Sequence, residues 1–109
     1  MNSYSVRCII KLPPASYNKK KYLYEERITV WRAENIDEAI NKAEAEVKKY
    51  CSDINNALFT GLSQAFWLFE PIDADGIEIF SLLRESDYEI DEYLDNFFST
   101  GHERQQIDR

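Results

Sequence analysis

The side chains best equipped for chemistry in this chain are few. Its one histidine, His102, stands in a polar C-terminal segment, and its two cysteines, Cys8 and Cys51, lie far apart with no CxxC pair. Zinc, haem and iron–sulfur sites need several Cys or His donors converging on one point, so these residues nominate no metal and no cofactor. The three glycines do not form a phosphate cradle, and no P-loop, GxGxxG or nucleophile-elbow spacing occurs. A serine or cysteine nucleophile needs a neighbouring base, and His102 is the sole imidazole on offer. No catalytic residue is nominated, and an enzyme is the less favoured reading.

Two constellations remain. The block Glu25-Glu26-Arg27, followed by Trp31-Arg32, interrupts a stretch otherwise fit for burial. Charges in such a row are paired or solvated. Pairing Glu26 with Arg7 or Arg84 across a sheet leaves a polar pocket of Arg7, Glu26, Arg27 and Trp31, in which a Glu handles protons, an Arg clamps an anion and Trp31 stacks on a ring. The plainer alternative is an internal ion pair on an edge strand guarded by its charges. The second constellation is acidic. Residues 1–32 carry seven basic and two acidic side chains, whereas 70–98 carry one basic and ten acidic. There Asp87, Glu89, Asp91, Glu92 and Asp95 alternate with Tyr88, Tyr93, Phe97 and Phe98, a surface suited to a basic protein, or else simply a solvated helix face. The spacing lacks the EF-hand pattern for calcium. A net charge of -7 opposes attraction to nucleic acid and to anionic membranes.

The elements that must position these residues follow from periodicity. A chain of 109 residues with 44% hydrophobic and 14% aromatic content closes one core. We expect a single domain over 1–101 and a polar tail over 102–109. Tyr4, Val6, Cys8, Ile10 and Leu12 alternate with Ser5, Arg7 and Lys11, the period of a strand. Pro13-Pro14 stops it, and a polar loop to Lys21 leads into a second strand, 22–33. Asn35 with Glu38 marks a helix start, and Ile36, Ala39, Ile40, Ala43, Val47 and Tyr50 form its apolar stripe. A long strand over 57–69, bulged at Gly61, a turn at Asp73-Ala74-Asp75-Gly76 and a partner strand over 77–84 read as a hairpin. Ser86 with Glu89 reads as a second capping box, before a short helix carrying Ile90, Tyr93, Leu94 and Phe97 and ending at Gly101.

The expected fold is α+β: a four-stranded antiparallel sheet in ββαββα order with both helices on one face. Both rows of the last two strands are apolar, so the other face needs cover. A second subunit supplies it in the expected homodimer, through Phe66, Trp67, Phe69 and Phe80. The start of the chain shows no leader and the sequence no membrane-spanning run, which points to a cytoplasmic protein with Cys8 and Cys51 as buried free thiols.

Five segments carry a family resemblance: Tyr4-Ser5-Val6-Arg7-Cys8; Tyr24-Glu25-Glu26-Arg27-Ile28-Thr29; Trp31-Arg32-Ala33; Glu38-Ala39-Ile40 with Ala43-Glu44; and Asp75-Gly76-Ile77-Glu78-Ile79-Phe80-Ser81. Together they resemble a bacterial family of small single-domain proteins catalogued as a domain of unknown function, the one numbered four-two-eight-eight. The likeness reaches to about Arg84. It implies a stand-alone bacterial domain and brings no residue role with it. The functional expectation is a non-catalytic protein-binding module, in its sharpest form an immunity-type inhibitor of a basic toxin. The alternative is a small-ligand binder or enzyme with a polar pocket at the sheet face.

Overall fold

The computed structural model describes residues 1–98 and the backbone of Arg104–Ile107. The elements run β1 (Asn2–Leu12), β2 (Tyr22–Ala33), α1 (Ile36–Ser52), β3 (Leu58–Leu68), β4 (Ile77–Ser86), α2 (Ile90–Phe97) and β5 (Arg104–Ile107). Through α2 this is the expected ββαββα order and α+β class. All strands join one antiparallel sheet in the order β4-β2-β1-β3-β5.

Strand register assigns every side chain to a face, because residues opposite one another across a ladder point the same way. Tyr4 stands opposite Trp31, Val6 opposite Thr29 and Cys8 opposite Arg27. These rows lie beneath α1, where Tyr4, Val6, Cys8, Ile10 and Trp31 pack with Ala39, Ile40, Ala43 and Val47 of the helix. The other face carries a second core, in which Ile9, Tyr24 and Leu62 meet Tyr93, Leu94 and Phe98.

The helices thus lie on opposite faces, which corrects the expectation that they share one. The cause is a central pair of strands with apolar residues in both rows: Trp31 and Ala33 of β2 are buried on one side, Tyr24 and Val30 on the other. Such strands need cover on both faces. The apolar side of α2 covers one end of the second face.

The expected hairpin between the last two strands is also corrected. β3 adds to β1 and β4 adds to β2, so they stand on opposite sides of the central pair. The connection over 69–76 crosses the strand ends and is pinned as it goes. Ser3 Oγ accepts from the Ile72 amide at 2.8 Å, Asp75 accepts from the Arg32 amide at 3.2 Å, and the Gly76 amide donates to the Val30 carbonyl at 2.7 Å.

Local signals fare variously. The Asn35 side chain caps α1, accepting from the Glu38 amide at 2.8 Å. In β3, Thr60, Gly61 and Leu62 stand opposite Ile9 alone, a bulge in which Gly61 adopts φ 94°. The second capping box does not form: α2 begins after Glu89 with no side-chain cap, and Ser86 Oγ instead accepts from the Tyr88 amide. The C-terminal segment, expected to lie outside the domain, contributes β5 against Leu62–Ala65 of β3. Gly101 and His102 lie outside the described residues.

Candidate functional site

On the α2 face, the charge pairing expected from the alternation is present. Arg7 donates to Glu26 at 3.0 Å and through Nε to Gln64 at 2.9 Å. Its guanidinium lies over the rings of Phe98, at 5.0 Å, and Phe66, at 5.9 Å. Arg84, the other candidate, lies instead over Phe97 at 4.7 Å. Arg7 is a strut between β1, β2 and β3, and the forked donors that would grip an anion are engaged by Gln64 and Glu26.

Arg27 and Trp31 stand on the other face. Arg27 donates to Glu46 of α1 at 2.5 Å and to Glu78 of β4 at 2.6 Å, and stacks over Tyr50 at 4.0 Å. Burial opposes its charge, but Glu46 and Glu78 outweigh that and hold the guanidinium protonated above its ordinary range. Trp31 Nε1 donates to Thr29 at 2.7 Å. The four residues nominated as one pocket therefore divide two and two across the sheet.

The α1 face holds polar partners that the sequence reading did not nominate. The buried Glu25 carboxylate accepts from Tyr50 Oη at 2.9 Å and from Ser81 Oγ at 2.5 Å. Buried Glu44 accepts from Ser63 Oγ at 2.6 Å, and the Cys8 thiol lies 3.9 Å from the same hydroxyl. One signal for Glu44 was available: it sits between Ile40 and Val47 at helical spacing, on the apolar stripe itself. Burial pushes the Cys8 thiol up to about 12, so it stays protonated near neutrality. Both cysteines are free and buried, as expected.

The acidic surface is partly used within the molecule. Glu85 accepts from the Lys19 and Lys20 amides at 2.6 and 3.1 Å, and Asp87 from the Lys21 amide at 3.1 Å. The basic loop over 13–21 is thereby clipped to the start of the acidic stretch. Glu89 accepts from Tyr22 Oη at 3.0 Å, which raises the pKa of that phenol. Asp91, Glu92 and Asp95 are exposed on α2.

The four residues nominated for a dimer face do not share one. Phe66 and Phe80 lie on the α2 face, in register with Ser5 and Ile28. Trp67 stands opposite Tyr4 on the α1 face, and Phe69 lies past the end of β3 with its ring edge-on to Trp67. Among the described residues β4 exposes Ile77, Ile79, Phe80, Leu82 and Leu83, with Ile77, Phe80 and Leu82 in register with the α2-face row and Leu83 with the α1-face row.

The surface carries several depressions, two of them flanking α1 and α2. One of about 380 Å³, between the end of α1 and β3, is lined by Cys51, Ala57 and Phe59, and one of about 580 Å³, at the start of α2, by Lys11, Thr60 and Asp91. None of the four described depressions is lined by Arg7, Glu26, Arg27 or Trp31. Among the described residues no cluster of His, Cys, Asp and Glu is arranged to hold a metal, and no helix is long and apolar enough to cross a membrane. Comparison with protein families, with curated proteins and with solved structures finds no match to this chain.

Proposed function

We propose that this chain is a cytoplasmic, non-catalytic protein-binding module that works as a homodimer and offers the acidic α2 surface to a basic protein, in the manner of an immunity-type inhibitor of a basic toxin. The observation that carries the binding reading is the exposed apolar surface of β4. Ile77, Phe80 and Leu82 form an exposed row on its α2 face and Leu83 is exposed on the other, and a monomeric protein seldom leaves so much apolar surface on one strand to water without a use for it. The acidic residues exposed on α2 favour a basic partner, whose encounter they would speed and select. Membership of the family of unknown function that the strands resemble belongs to the same proposal and adds no residue role.

The pocket reading is less favoured, because the sheet itself separates Arg7 and Glu26 from Arg27 and Trp31. The test is affinity capture of the tagged protein at low and raised salt, run beside the triple variant Asp91→Lys, Glu92→Lys, Asp95→Lys. A stoichiometric basic protein that the wild type retains at low salt, and that both raised salt and the variant release, is the expected result. Equal capture by wild type and variant would overturn the acidic-surface reading.

A further inference from the structure

We propose that the outer edge of β4 pairs, antiparallel and about a two-fold axis at Ser81, with the same strand of a second copy of this chain. This inference rests on the homodimer reading above and names its seam.

Among the described residues no strand pairs with the outer edge of β4, which runs for ten residues. Proteins blunt such edges with outward charges, because unpaired amides and carbonyls are a template for another strand. Here the charged side chains are engaged within the chain: Glu78 by Arg27, Arg84 over Phe97, and Glu85 by the loop amides. Between them the edge strand runs Ile79-Phe80-Ser81-Leu82-Leu83, without charge, proline or glycine.

The order of side chains selects both the occupant and the register. An isologous interface requires a patch that complements itself. In an antiparallel pair the two-fold axis passes through a residue facing its own copy, so only a few registers exist. Centred on Ser81, Phe80 meets Leu82 of the second copy, Ile79 meets Leu83, and Glu78 and Arg84 match in charge at each end of the ladder. The bulge beside Ile28 turns Glu78 toward α1, so this last match is one of net charge along the seam and not a contact. Centred on Phe80, Glu78 would face a leucine; centred on Leu82, Phe80 would face an arginine and Ile79 a glutamate.

Area agrees. Ile77, Ile79, Phe80, Leu82 and Leu83 are between 40% and 58% exposed. At on the order of 200 Å² for a fully exposed side chain of this size, they offer up to about 500 Å² per copy and about 1,000 Å² across a symmetric pair, at the lower limit for a specific interface.

The test is the solution mass of the wild type at tens of micromolar, followed by oxidation of Ser81→Cys. Opposed residues in an antiparallel ladder have Cα atoms about 4.5–5.5 Å apart, within disulfide reach. The buried Cys8 and Cys51 do not compete. A covalent dimer is expected, and Ile79→Lys should raise the dissociation constant of the wild-type pair at least about tenfold. Because Ser81 also bonds Glu25, the double variant Ile79→Cys, Leu83→Cys gives the same readout with that bond intact. A wild type that is monomeric overturns both the dimer and the seam. A wild-type dimer whose cysteine variants do not cross-link, or which Ile79→Lys leaves unchanged, overturns the seam alone.

Discussion

The two arginines buried in the sheet have unequal duties. Arg27 is nearly enclosed, and Glu46 and Glu78 depend on it for charge balance under α1. Arg27→Ala would leave those carboxylates facing one another beside Glu25. Loss of about 3 kcal/mol of stability is expected in urea unfolding. Glu26→Gln, which keeps an acceptor for the more exposed Arg7, should cost about 1 kcal/mol or less. The Arg7–Glu26 pair was legible in the sequence, because opposite charges in alternating rows have few partners to choose from. The Arg27 cluster was not, since its members come from β2, α1 and β4, and the rotation of α1 over the sheet decides which glutamate reaches it.

Burial also sets a response to alkali. Desolvation pushes Cys8 up from 9.0, and Tyr24 and Tyr50 up from 10.0, each to about 12. The folded chain then keeps protons that the unfolded chain releases. Their contribution is fully present below about pH 9 and falls away as pH rises through 9 to 12. The urea midpoint should hold up to about pH 9 and drop steadily by pH 11, less steeply in Tyr50→Phe. A midpoint unchanged between pH 8 and pH 11 would sink the idea.

Among the elements, the crossing segment over 69–76 depends on one glycine. Gly76 has φ 86°, and a Cβ there would meet the Trp31 ring at 3.0 Å. Gly76→Ala is therefore expected to cost about 2 kcal/mol, from backbone strain and the displaced indole. Chemical denaturation gives the loss, and a change in native tryptophan emission reports the movement of Trp31. Most element types were legible: the strands from alternation, α1 from its stripe and Asn35 cap, the β3 bulge from Gly61. The partner of β4 was not. Turn residues at 73–76 say that the chain reverses, but not over what distance. Eight residues extend to roughly 26 Å, ample for the about 14 Å from β3 past β1 and β2 to β4.

At the scale of the molecule, charge and cover are both arranged against the sequence order. The basic loop before β2 closes on Glu85 and Asp87, about 65 residues later in the chain, so the segregation visible in the sequence is partly cancelled in space. Helix placement was hidden for a related reason. Composition showed that both faces of the sheet need cover but not which helix takes which face, and an extra subunit was invoked where α2 already serves. What remains open after α2 is the rim of the sheet along β4.

The central position of β1 and β2 has a consequence for how the sheet is ordered. β1 and β2, consecutive in the chain, form the middle of the sheet, and the later strands stand on its outer sides, β3 on one flank and β4 on the other. Chain order thus maps onto sheet position from the centre to the margins, like the layers of a crystal around its seed. Among the described residues the flank built by β4 receives no further strand, and it is at that margin that the proposed second copy would join.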